Sequence, residues 1–127
     1  METSEIKNPT DRVGAELEER TLAFAVRVVS FVGSFARSDV TGVIGRQLLR
    51  SGTSIGANYR EANRAESADD FAHKVAIAVK EAAETEYWLL LCQRIEIGLS
   101  ETCAALTAES GELIAILTTI LRRARRQ

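Results

Sequence analysis

The sequence predicts an all-α fold, an antiparallel up-down four-helix bundle, and three observations carry that expectation. Apolar residues make up 46% of the 127 while aromatics make up only 6% and proline occurs once, at Pro9. An alanine- and leucine-rich chain so poor in proline favours helix over strand. Apolar side chains also recur at spacings of three and four along four long segments, which is helical periodicity rather than strand alternation. Capping residues between those segments leave only short connections, and short connections make consecutive helices antiparallel neighbours. A chain of this length forms one domain over 1–127, with 1–9 expected to be a poorly ordered N-terminal extension.

The first helix is expected to begin near Thr10 or Asp11, with Pro9 just outside it. Glu16, Glu18 and Glu19 stand near its positive N-terminal end. Its inward stripe is read as Leu17, Leu22, Phe24, Val28, Phe31, Val32 and Phe35. Ser38 or Asp39 caps the second helix, where Ile44, Leu48, Ser51, Ile55, Asn58 and Ala62 form a seam with two polar members. Gly42, Gly45, Gly52 and Gly56 lie in the same helix. Each costs about 1 kcal/mol relative to alanine, which argues for close helix approach or a local kink. Ser67 with Asp70 three residues later resembles a capping box, and Asp69 adds charge at the start of helix three. That helix runs toward Gly98 with one stripe at Phe71, Val75, Ala78, Ala82, Leu89 and Cys92. A second stripe beside it holds Ala72, Ala76, Val79, Ala83, Leu90 and Ile97. Ser100 is read as the cap of helix four, whose seam is Leu106, Leu113, Leu117, Ile120 and Ala124.

A net charge of −2 hides segregation. Residues 21–64 carry six arginines against Asp39 and Glu61, a net +4, while 65–121 carry three basic and ten acidic groups, a net −7. Cys92 and Cys103 are too few for a disulfide framework or a zinc site and are expected as buried free thiols. METSEIKNPTDR has no apolar core for a signal peptide, and no uncharged apolar run approaches the ~20 residues that span a bilayer. The expectation is a cytoplasmic protein without a membrane partner.

Little in the chain carries catalytic chemistry. His73 is the only histidine, and a surface position explains it better than a general base. Di-iron bundles need Glu-x-x-His, which does not occur here. No nucleophile has an evident base, and the glycines form no phosphate loop after a strand. Neither cofactor nor metal is expected. Ser54, Asn58, Glu61 and Glu84 are the candidate polar network between helices two and three, with Asn58 and Glu84 expected to be buried and mutually satisfied. The run YWLLLCQRIEI is apolar nearly all round, and Trp88, Leu91 and Ile95 on its outer side are the candidate subunit interface. Candidate nucleic-acid contacts are Arg46, Arg50, Arg60 and Arg64 on helix two and Arg122, Arg123, Arg125 and Arg126 closing helix four.

The block Ser51–Leu91, with SIGANYREA, ES-x-x-DF-x-x-K-x-x-I-x-x-KE and E-x-E-YWL, resembles the four-helix-bundle family of intervening-sequence proteins, named for members encoded within insertions in bacterial large-subunit ribosomal RNA genes. The accessory protein of diversity-generating retroelements is a relative. The resemblance implies a homopentameric ring, no enzymatic activity, and nucleic-acid binding through a basic surface in some relatives. Many members carry proline where this chain has Gly56, which supports a kink there. The reading is a non-enzymatic, self-assembling bundle of unknown role that binds itself and, through its arginines, nucleic acid or a ribonucleoprotein. The alternative is a small-ligand-binding or catalytic bundle using Asn58, Glu61 and Glu84.

Overall fold

The computed structural model describes residues 9–126, with side chains from residue 14, as four helices in chain order: α1 (Pro9–Gly33), α2 (Asp39–Ala62), α3 (Ala68–Ile95) and α4 (Ser100–Arg125). No strand occurs among the described residues. The expected extension 1–9 lies outside them except for Pro9, which is the first residue of α1 rather than its predecessor. That position suits proline, whose missing N–H has no intrahelical partner to lose in the first turn.

Cross-helix contacts fix the antiparallel order. Gly45 faces Val32 and Gly56 faces Thr21 between α1 and α2. Ser51 meets Thr85 and Glu61 meets Lys74 between α2 and α3, and Cys103 reaches Leu89 between α3 and α4. α3 packs extensively against both α2 and α4, whereas α1 packs on α2 and touches α4 over a short stretch. The core is filled by Phe24 and Val28 from α1, Leu48 and Ile55 from α2, Val75 and Leu89 from α3, and Leu106, Leu113 and Leu117 from α4. Each leucine or isoleucine so buried contributes about 1.5–3 kcal/mol relative to exposure.

Local signals account for most helix ends. Ser38 caps α2 by accepting the Thr41 N–H, and Ser67 caps α3 by accepting the Asp70 N–H. The α3–α4 turn needs left-handed backbone at Glu96 and at Gly98, whose φ is +80°. A Cβ on Gly98 would also lie 2.5 Å from Phe31 Cε1, so both conformation and room demand glycine there. The expected cap at Ser100 is corrected: Leu99 is the N-cap of α4 and makes no side-chain cap bond, and Ser100 is the first helical residue.

The stripes of α1 and α3 need amendment. Leu22 is 46% exposed, and the inward position belongs to Thr21, which is fully buried. Thr21 can occupy it because its hydroxyl donates within α1, lying 3.0 Å from the Leu17 and Glu18 carbonyls. Ala83 and Leu90 of the second α3 stripe face outward. The glycines of α2 report close approach: a Cβ would come within 3.0 Å of Val32 at Gly45, 3.0 Å of Val28 at Gly52, and 2.9 Å of Thr21 Oγ1 at Gly56. α2 runs as continuous helix through Gly56. By length and hydropathy α4 could cross a membrane, which the sequence reading did not anticipate. In the fold it is a bundle helix that sends Cys103, Leu106, Leu113 and Leu117 into the core and holds Glu109 and Glu112 mid-helix.

Candidate assembly surfaces and charged face

The expected polar network is not the one the fold buries. Ser54 Oγ donates to the Arg50 carbonyl at 2.6 Å and Asn58 Nδ2 to the Ser54 carbonyl at 2.9 Å, so both bond within their own helix. Glu61 is exposed and pairs with Lys74 at 2.7 Å. Glu84 is half-buried and accepts from the Arg50 guanidinium and, at 3.0 Å, from Trp88 Nε1. These bonds hold its carboxyl below the usual carboxylate range. Asn58 and Glu84 do not bond to each other.

The buried polar contact between α2 and α3 is instead Ser51 with Thr85. Both are fully buried, and their hydroxyls lie 2.9 Å apart, with Thr85 Oγ1 also 2.8 Å from the Glu81 carbonyl. The periodicity contained this signal. Thr85 lies three residues after Ala82 and four before Leu89, in step with their stripe, as Thr21 does between Leu17 and Phe24. The expected stripes left both threonines out.

Apolar side chains are exposed on two flanks. On the first, Leu22, Val26 and Val29 of α1 border a groove of about 470 Å³ whose α2 wall is Thr53, Gly56, Ala57 and Arg60. Val26 is 59% and Val29 50% exposed. The second flank is the outer side of α3, where Tyr87, Leu90 and Ile95 are exposed. Trp88 and Leu91, expected there as free interface groups, are half-buried and packed on the core. The Ser51–Thr85 and Glu61–Lys74 register brings exposed Val40 and Val43 of α2 level with the Ile95 end of α3, widening this flank.

The arginines divide into engaged and free groups. Arg50 lies between Glu81, at 3.1 Å, and Glu84. Arg60 and Arg64 approach Glu18 at 3.7 and 3.5 Å. Arg20, which the sequence reading passed over, forms a two-pronged pair with Glu109 at 2.7 and 2.8 Å and reaches Glu112 at 2.7 Å. That pairing pushes the Glu109 carboxyl down. Arg46, Arg122, Arg123, Arg125 and Arg126 are exposed and make no ion pair among the described residues. The antiparallel order puts Arg60 and Arg64 at the same end of the bundle as the α4 arginines, and Arg46 toward the other.

Three cavities stand out in the bundle, and none is lined by Ser54, Asn58, Glu61 or Glu84. Among the described residues no three His, Cys, Asp or Glu side chains gather as a metal-binding group. Cys92 and Cys103 are buried free thiols.

A closed helical core, self-satisfied polar contacts and two exposed apolar flanks define a four-helix-bundle protein. Residues 15–119 match the family model of the 23S rRNA-intervening sequence protein, and the chain belongs to that family. It is also similar to a crystallographically solved protein of unknown function from the S23 ribosomal protein family of Bacteroides thetaiotaomicron VPI-5482. The two are 43% identical, the match covers 82% of this chain and 96% of that one, and the TM-score is 0.76. No curated protein matches the chain.

Proposed function

We propose that this protein is a non-catalytic structural module that associates with copies of itself and presents its free arginines to nucleic-acid phosphates. The observation that carries the reading is the pair of apolar flanks on different sides of one bundle. A monomer in water gains nothing by exposing Val26, Val29, Tyr87, Leu90 and Ile95. Two unlike patches on different flanks suit head-to-tail contacts, which close into a ring when the rotation allows. Five copies is the number the family resemblance implies. A ring would bring the Arg122–Arg126 cluster of each copy to one rim and multiply phosphate contacts that are weak singly. The ribosomal wording in the names of the family and of the solved neighbour is consistent with a ribonucleoprotein setting.

Light scattering at micromolar concentration tests the assembly. A mass about five times the 13.9 kDa chain is expected, and a monomer would refute the reading. Val26→Glu and Ile95→Glu should each reduce the assembly without unfolding the bundle, because both side chains are already in water. The nucleic-acid step is tested separately with labelled single- and double-stranded RNA and DNA at about 50 mM salt. Binding should weaken steeply with added salt and fall when Arg122, Arg123, Arg125 and Arg126 become glutamine. No binding to any of the four probes at low salt rejects that step while leaving assembly standing.

A further inference from the structure

Two thiols that the proposed function does not use sit together beneath the α3–α4 turn. Cys92 lies in the last turns of α3 and Cys103 in the first turn of α4, on either side of the connection 96–99, and both are buried. Cys103 Sγ lies 3.2 Å from the carbonyl of Leu89, one helical turn before Cys92, so it is directed at the part of α3 that carries the other thiol. Both cysteines line one cavity of about 490 Å³, whose other walls include Gln93, Glu96, Gly98 and Ser100. Those four residues are exposed, so the cavity opens to solvent beside the two thiols, which are themselves covered.

From this shared cavity and the approach of Cys103 to the same stretch of α3 we infer that Cys92 and Cys103 form a dithiol site that a small peroxide converts to an intrachain disulfide tying α3 to α4. The thiolate of one cysteine attacks the peroxide O–O bond. This gives a sulfenic acid and a hydroxide, which takes up a proton to become water. The sulfur of the second cysteine then attacks the sulfenic sulfur, the S–S bond forms, and the sulfenic oxygen departs with the second thiol's proton as another water. Each sulfur loses one electron, and the peroxide is reduced to two waters. Apart from the thiols no metal, cofactor or third side chain is required.

Burial sets the rate. Desolvation, with Cys103 adding to it, pushes the Cys92 thiol up to about 11, and desolvation raises Cys103 as well. The thiolate is the reacting form, so oxidation is slow at neutral pH and quickens about tenfold per pH unit as pH rises toward that value. The site therefore ignores brief exposure and responds to sustained oxidant. Closing the bond would fasten the end of the bundle where Gly98 packs on Phe31 and Phe35.

The test is to treat the full chain with hydrogen peroxide under conditions where circular dichroism shows native helix, and to follow intact mass and free thiols. The expected product is a single, un-cross-linked chain lighter by two hydrogen atoms, with both thiols lost together. Reductant should restore them, and the oxidised chain should need more denaturant to unfold. Cys103→Ser keeps a hydroxyl able to donate to the Leu89 carbonyl and should fold. In that variant the two-hydrogen loss should vanish, and a sulfenic-acid trap should label Cys92. Oxidation only at denaturant concentrations that unfold the chain would overturn the inference. So would addition of two oxygen atoms to a single sulfur, or disulfide-linked dimers in place of the intrachain product.

Discussion

α1 and α3 are held in the same bundle by different means. α3 lies between two helices and packs on both: Val75 and Leu89 are fully buried among smaller residues such as Ala78 and Ala82, and the Ser51–Thr85 contact closes its α2 side. α1 leans on one helix, meets it across the glycines of α2, and is clamped to α4 through Arg20 with Glu109 and Glu112. Both bury apolar side chains, Phe24, Val28 and Phe31 on α1 among them, but α3 is packed on two sides and α1 chiefly on one. The difference bears on assembly. Glycine on α2 brings the α1 backbone close but supplies no side chains to cover the outer row of α1, so Leu22, Val26 and Val29 remain in water. The helix with least internal cover is the one offering a groove to a neighbour.

Truncation at the centre of α3 should produce the largest effect. Leu89 has no solvent exposure, and Leu89→Ala should cost about 2–5 kcal/mol through lost transfer energy and the cavity left behind. Urea unfolding measures it. A loss below about 1 kcal/mol would mean that α3 is no better anchored than α1, and the contrast would fail.

A matched pair of glycine substitutions sharpens the contrast. Alanine in a helix interior is favoured over glycine by about 1 kcal/mol when nothing else changes. At Gly111 of α4 a new Cβ meets only the flexible Glu86 carboxylate, at 3.6 Å, so Gly111→Ala should stabilise by up to about that amount. At Gly56 the same Cβ would meet Thr21 Oγ1 at 2.9 Å, Thr21 Cβ at 3.1 Å and its carbonyl carbon at 3.4 Å. Backbone cannot turn aside as a long side chain can, so α1 must move. Gly56→Ala should destabilise by about 1–2 kcal/mol net, the overpacking penalty exceeding the gain in propensity. If both variants gain stability by similar amounts, close approach is not what holds α1.

How far the sequence could be read follows the same division. Helix number, order and the Ser38 and Ser67 caps were legible because periodicity and capping chemistry are local. The glycines of α2 announced a close approach, but not that Val28, Val32 and Thr21 would be the groups approached, since that depends on the rotation of α1. The polar assignments failed for a related reason. Asn58 was judged by its place on the seam, yet its amide can reach the carbonyl four residues back, which frees it from needing a partner on α3. Glu84 went to Arg50 and Trp88 because long side chains at a half-buried edge find charge before they find one another. Thr21 and Thr85 keep step with their stripes, and their hydroxyls are satisfied within their own helices, which is what lets a polar residue hold a core position.

The clamp on α1 should give the smallest effect and the one most dependent on solution conditions. Glu109 is only 17% exposed and its carboxyl is held down first by the hydrogen bond from Arg20, with burial opposing. A carboxyl whose folded pKa is depressed contributes stability that is fully present above its unfolded value, near 4.3, and is lost as pH falls through the lower folded value. The partner guanidinium is 36% exposed, so solvent and salt screen the pair and its contribution stays under about 1 kcal/mol. Unfolding curves from pH 6 downward should therefore show the native chain losing slightly more stability below about pH 4.3 than Arg20→Gln does. Added salt should shrink the difference. Amide exchange sharpens the test further: Arg20→Gln should speed exchange along α1 and leave the amides around Leu89 unchanged. Equal acceleration in both helices would show that α1 and α3 open as one unit, and the distinction between two-sided and one-sided packing would no longer describe how this bundle is held.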